Sequence, residues 1–310
     1  MKWNALLKTL GFMSLAATSA VAGPSAPAPK NPIAPAPVDD DLGITASIGY
    51  DSRYVWRGLN FGPNWVRAGI SGTHTLVGGT GEDNAGSTSL LWDVQYGSIA
   101  GSNLITNTRS NVQNNFTYER LQVSAALAHD FGPATVSLGY RYYQNMGAFD
   151  TLGLMNAAQE AYLGLATALG PVNFYSTANY DFVNFTWYFD LTASSTIKVT
   201  DSISIVPFAT MGYGHKMSWQ FARGRNAGLA NTWVGPNSTG PNSVTGFTAV
   251  TTGVRFPIKV SSRATLTPYI AVNVPIGATA NLASNVRYNG APDSPYKSVL
   301  YGGVTLSISF

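Results

Sequence analysis

A two-residue alternation of apolar and polar side chains runs through most of this chain and restricts what it can fold into. It is clearest in Tyr301 to Phe310. Val304, Leu306, Ile308 and Phe310 fall on one side of an extended strand there, and Gly303, Thr305, Ser307 and Ser309 on the other. Successive side chains of a strand point to opposite faces, so this strand is oily on one face and polar on the other. No turn follows it. Such a strand needs a partner for its free edge, and pairing with the first strand would close a barrel.

The same period begins at Leu42. Ile44, Ala46, Ile48, Tyr50, Tyr54 and Trp56 share one face with Ser52, while Thr45, Ser47, Gly49, Asp51, Arg53, Val55 and Arg57 share the other. Further strands are expected near 64–76, 88–97, 116–129, 134–145, 159–169, 172–182, 186–199, 203–213, 247–258, 264–275 and 298–310. With the first they make twelve, and an even count brings both ends of the wall to one side. The segment 159–169 also fits a helix, because Ala158, Ala161, Tyr162, Leu165 and Ala168 share a helical face; the pattern around Pro171 favours a strand. The fold class expected is all-β, a transmembrane antiparallel up-and-down barrel.

Composition agrees with that expectation. Only 11% of the 310 residues are charged, against about 25% in average soluble proteins. Mean hydropathy is +0.04, below that of a helical membrane protein and fitting a wall in which alternate residues face lipid. There are no cysteines, hence no disulfides and no thiolate chemistry. Short connections (Asp130 to Pro133, Gly170 to Pro171, Thr200 to Ser202, Lys259 to Arg263) largely alternate with long polar loops (Ser98 to Asn115, Met146 to Ala158, Gly214 to Gly246, Ile276 to Lys297). Gly58 to Pro63 and Val183 to Phe185 are short where long loops are expected, and Val77 to Ser87 is long where a turn is expected.

Residues 1–22 read as a secretory leader. Lys2 and Lys8 precede a short apolar stretch, and Ala20-Val21-Ala22 offers a cleavage site before Gly23. Loss of those two lysines leaves sixteen basic residues against fifteen acidic, so the mature chain is nearly neutral and lacks the basic face that nucleic-acid binding needs. Residues 23–41 hold six prolines among small residues and read as a spacer; the barrel would occupy 42–310.

Ser52-Arg53-Tyr54-Val55-Trp56-Arg57-Gly58 resembles the opening signature of the TorF-type porin family, also described as Gcw_chp proteins. Glu160-Ala161-Tyr162-Leu163-Gly164, Gly170-Pro171-Val172, Met211-Gly212-Tyr213-Gly214 and the terminal Ser-Ile-Ser-Phe are similar to that family as well. Arg53 departs from the smaller or acidic residue expected there. The resemblance implies an outer-membrane barrel of porin type, set in outer-membrane lipid and passing small solutes. By resemblance to outer-membrane proteins in general, Phe310 would be the signal read by the barrel-assembly machinery.

The pore-lining candidates are Asp51, Arg53, Arg57, Arg67, Asp93, Arg141, Glu160 and Asp190, all charged residues on the polar faces. Arg53 and Arg57 could favour anions. Pairing of Arg57 with Asp93, Glu160 or Asp190 is the favoured alternative, because charges in a confined lumen need partners. Tyr50, Tyr54, Trp56, Trp65, Trp92, Tyr96, Tyr140, Tyr142, Trp187 and Tyr213 are expected to form aromatic girdles. His74, His129 and His215 stand in no nucleophile, metal or phosphate motif, so neither a catalytic residue nor a cofactor is assigned.

Overall fold

The computed structural model describes residues 42–79, 86–100, 103–107, 112–116, 118–147, 157–183, 185–217, 244–277, 279 and 297–310. Residues 1–41, expected to be leader and spacer, and most of the loop Gly214 to Gly246 lie outside the described residues. Sixteen strands follow one another: β1 (Ile44–Trp56), β2 (Leu59–Val77), β3 (Thr88–Ile99), β4 (Asn103–Asn107), β5 (Val112–Phe116), β6 (Tyr118–Asp130), β7 (Ala134–Gly147), β8 (Ala157–Leu169), β9 (Val172–Asp181), β10 (Thr186–Ser195), β11 (Ile197–Lys198), β12 (Ser204–Met217), β13 (Val244–Arg255), β14 (Ile258–Lys259), β15 (Ala264–Pro275) and β16 (Val299–Ser309).

Twelve of these form a closed antiparallel wall, in the order β1-β2-β3-β6-β7-β8-β9-β10-β12-β13-β15-β16 and back to β1. Each has a counterpart among the twelve strands expected from periodicity. β11 and β14 are short extensions on β12 and β15, and β4 and β5 make a hairpin apart from the wall, within a stretch expected to be loop. β8 is a strand and not a helix. Its Ala, Leu and Glu residues suit a helix, but β7 and β9 pair with both its edges and tertiary pairing decides.

The alternation sorts the side chains as a membrane requires. Leu127, Leu138 and Leu163 form one row across β6, β7 and β8 on the outside, and Leu138 is 65% exposed. Three residues along these strands, Ser124, Arg141 and Glu160 form a parallel row on the inside, all buried. Burying charge while exposing leucine costs free energy in water and gains it in hydrocarbon, so this is a transmembrane barrel.

Closure is made by β1 and β16, in register from Thr45↔Ser309 to Asp51↔Gly303. Phe310 and the start of the wall complete it, with the Leu42 N–H donating to the Phe310 carbonyl at 2.7 Å and the Phe310 N–H to the Ile44 carbonyl at 2.9 Å. Inside the seam the Arg67 side chain passes over Gly49, and its Nη2 donates to Thr305 Oγ1 of β16 at 2.7 Å. A Cβ at Gly49 would lie 2.9 Å from the guanidinium carbon.

The girdle expectation holds for part of its list. Tyr50, Tyr96, Tyr140 and Trp187 lie on the outside near the long-loop end. Three of the phenols donate to a neighbouring strand: Tyr50 to Asn64, Tyr96 to Glu119 and Tyr140 to Gln159. An aromatic body with a bonded polar tip suits a membrane interface. Tyr54 and Trp65 are not in the girdle; they are buried on the inside, where Tyr54 packs close to Trp56 through Phe61.

The seam generates a prediction. A Cβ at Gly303 would stand 2.4 Å from both Asp51 Oδ1 and the Tyr50 carbonyl oxygen, whereas one at Gly78 meets nothing within 4 Å. Gly303→Val is expected to abolish the heat-modifiable folded band on cold SDS gels, and Gly78→Val to retain it.

Candidate functional site

The wall does not carry β1 and β2 along their whole length. β1 last pairs with β16 at Asp51↔Gly303, and β2 first pairs with β3 at Trp65↔Ile99. Between those points, Arg53 to Pro63 pairs only with itself: Arg53↔Pro63, Tyr54↔Gly62, Val55↔Asn60 and Trp56↔Leu59, with a register shift between Tyr54 and Val55. Single-face burial also fails here. Tyr54 and Val55 are both buried, as are Leu59 and Asn60. A strand buried on both faces in a one-layer wall has left that wall, and this hairpin folds into the lumen.

Its reach follows from strand geometry. Two arms of about six residues at about 3.3 Å each extend about 20 Å. Twelve strands about 4.8 Å apart and tilted about 40° enclose a ring about 24 Å across between backbones. The hairpin therefore crosses the bore. Gly62, Pro63 and Asn64 suit its base: Gly62 and Asn64 take φ of 150° and 57°, and proline gives up an N–H where no wall strand could accept it.

The turn at the tip is two residues, Arg57 and Gly58, with φ of 51° and 81°. Two consecutive left-handed residues are what a type I′ hairpin turn needs. Gly58 is required twice over, because a Cβ there would also lie 2.4 Å from the Ala249 Cβ of β13. Gly58 to Pro63 is thus not a loop but a tight turn followed by strand.

At the tip, the Arg57 guanidinium meets Glu160 on β8 as a fork, Nη1 to Oε1 at 2.7 Å and Nη2 to Oε2 at 2.8 Å. Two parallel charge-assisted bonds fix direction as well as distance. Arg57 also lies over the Tyr188 ring of β10 at 4.6 Å. On the other side, Asn273 of β15 donates from Nδ2 to the Gly58 carbonyl at 3.0 Å, and Val55 packs with Phe208, Ala271 and Tyr301. The contacts of Arg57 and Gly58 reach β8, β10, β13 and β15, so the tip engages wall strands across the bore from β2.

Glu160 holds a second cation. Arg141 faces it directly across β7 and β8, and its Nη1 lies 3.6 Å from Oε2, while the Tyr143 hydroxyl donates to the same oxygen at 3.2 Å. Arg120 of β6 completes the cluster. Its Nη1 donates to the Tyr54 hydroxyl at 2.7 Å, and its guanidinium stacks over Tyr143 at 3.8 Å and Trp56 at 4.2 Å. Tyr54 itself stacks on Trp65 with centroids 4.0 Å apart. Guanidinium planes on aromatic faces satisfy a buried cation without a second carboxylate.

The charged candidates on the wall strands turn inward, but they do not form one site. Arg57, Arg141 and Glu160 meet at the hairpin tip. Asp51 and Arg67 make a separate pair at the seam, Nε to Oδ2 at 3.1 Å, where Asp51 also accepts from the Tyr269 hydroxyl at 2.7 Å. Asp93 accepts from Ser124 and Gln122, and Asp190 from Thr177. Arg53 is half-buried on the hairpin itself. Arg120, Tyr143 and Tyr188 were not among the sequence candidates. Parity alone could have found Arg120, since Tyr118, Arg120, Gln122 and Ser124 alternate with the outward Val123 row. Among the histidines, His129 Nδ1 bonds Thr88 Oγ1 at 2.9 Å and His74 faces Trp92, both toward the short-turn end.

No family model and no curated protein matches this chain, so the TorF-type resemblance stands on its motifs alone. Solved structures similar to it are outer-membrane barrels. A KdgM porin is 9% identical, with 86% of this chain and 99% of that one covered and a TM-score of 0.44. A NanC porin is 11% identical over 86% and 100%, with a TM-score of 0.43. The COG4313 outer membrane channel from Pseudomonas putida F1 is 8% identical over 89% and 99%, with a TM-score of 0.46. At identities this low the likeness transfers no residue's role.

The seam pair is where charge supports the wall. Removing one partner of a buried pair strands the other, at a cost of about 3–5 kcal/mol. Arg67→Met and Asp51→Asn are each expected to lower the midpoint of urea unfolding in detergent, the first by stranding the carboxylate and the second by leaving one amide oxygen to meet two donors, Tyr269 and Arg67.

Proposed function

We propose that this chain is an outer-membrane channel through which small hydrophilic solutes diffuse passively, past a constriction made by the β1–β2 hairpin. The observation that carries this reading is the sidedness of the wall. Its outside is a leucine-rich band, and its inside is lined by hydroxyl, amide and charged groups such as Thr177, Asn179, Thr192, Thr251 and Asn273. A lumen of that kind supports a wetted path. The leader 1–22 would deliver the chain to the periplasm, the spacer 23–41 would precede the barrel, and Phe310 would be read by the assembly machinery. Arg53, with the charges at the tip and seam, would tune selectivity. The loop Gly214 to Gly246, expected to restrict the mouth, lies mostly outside the described residues; the hairpin supplies a restriction within them.

A second reading has its own support. Tyr54, Val55 and Leu59 are 0%, 2% and 2% exposed, so the hairpin fills its level of the bore densely. That suits a non-conducting surface or scaffold barrel. Recording the purified chain in planar bilayers separates the two. The channel reading expects discrete steps that are small for a twelve-stranded barrel, whereas a folded barrel silent under every applied voltage supports the scaffold.

A further inference from the structure

The hairpin is inside the barrel but is not part of its wall, and the way it is held differs between base and tip. Along Arg53 to Pro63 the strand ladder is internal, so withdrawal of the hairpin breaks no wall pairing. At the base, β1 is tied by the Gly302 N–H donating to Ser52 Oγ at 3.1 Å, and β2 by the Ala100 N–H donating to the Asn64 carbonyl at 2.7 Å. Directly beyond these ties come the register shift at Tyr54 and Val55 and the left-handed residues Gly62 and Asn64, where an extended chain can change direction. Beyond the base the polar holds include the Arg57 fork on Glu160 and the Asn273 bond to the Gly58 carbonyl at the tip, and the Arg120 bond to the Tyr54 hydroxyl along one arm.

We propose that the β1–β2 hairpin is a gate hinged at Ser52 and Asn64, and that the Arg57–Glu160 pair is the latch that holds it shut. This rests on the channel reading above and adds the closing element and the contact that sets its equilibrium. The latch is self-balancing. With the hairpin in place, Glu160 shares Arg57 and Arg141. With the hairpin withdrawn, Glu160 keeps Arg141 at 3.6 Å and the Tyr143 hydroxyl, so the wall retains a partner for its buried carboxylate. Arg57 exchanges the carboxylate for water. Opening leaves Glu160 with a cation, and Arg120, which gives up the Tyr54 hydroxyl and the Trp56 face, keeps the Tyr143 ring at 3.8 Å. Phe61 packs against both Tyr54 and Trp56 within the hairpin, and those ring contacts travel with it, while Trp65 and Tyr118 stay with the wall.

Single-channel recording tests this with five chains: the native one, Arg57→Ala, Glu160→Gln, the two substitutions together, and one in which a Gly-Gly turn replaces residues 53–63. Cold SDS gels confirm that each is folded. Arg57→Ala is expected to raise the open-time fraction at least tenfold at unchanged step size, and the shortened chain to stay open with larger steps. Glu160→Gln should raise the open fraction as well, and adding it to Arg57→Ala should bring little more, because both remove one interaction. If the shortened chain opens while Arg57→Ala gates like the native protein, the latch is overturned and the channel stands. A folded shortened chain that stays silent overturns the channel and the gate together. Equal steps from native and shortened chains overturn the gate alone.

Discussion

Backbone hydrogen bonding governs this molecule. In hydrocarbon an unpaired N–H or C=O costs several kcal/mol, so each wall strand must be flanked on both sides for as long as it stays in the membrane. The pairing of β16 back onto β1 meets that demand, and Arg67 reaching over Gly49 to Thr305 adds a polar tie on the water side of the same joint. The requirement also explains how a hairpin can leave the wall. Once past Gly303 and Ile99, β1 and β2 satisfy one another, and a two-stranded ribbon with its edges toward a polar lumen incurs no such penalty.

The lumen shows a second economy. Charged side chains confined there are set opposite one another by register before any side chain moves. Arg141 lies across from Glu160, and the turn of the inserted hairpin delivers Arg57 to the same carboxylate. Two cations around one anion leave an excess that the aromatic faces of Tyr143 and Tyr162 beside Arg141, and of Trp56 and Tyr188 beside Arg57, share out. The polar interior is therefore organised electrostatics and not merely wet surface.

Much of the wall was legible in the sequence because its signal is geometric and repeats in every strand. A period of two gave the strand count, the sidedness and the ring closure, and charge on the polar faces gave the inward candidates. The hairpin was not legible, for two physical reasons. Its sequence alternates like the wall, so Tyr54 and Trp56 look lipid-facing until it is known that β1 has parted from β16. Its turn, Arg57-Gly58, lacks the usual Asn-Gly signature; Arg57 is held in a left-handed conformation while gripped by a carboxylate more than a hundred residues away. Trp65 was legible in principle. The parity that places Arg67 inside places Trp65 inside too, and only the habit of assigning tryptophan to membrane girdles hid it.

Because the ladder of the inserted ribbon is self-contained, its length is uncoupled from the cylinder that encloses it. Adding or removing a residue pair between Ser52 and Asn64 would alter the free aperture without altering the number, tilt or neighbours of the surrounding staves. Such a change would leave the lipid-facing surface untouched.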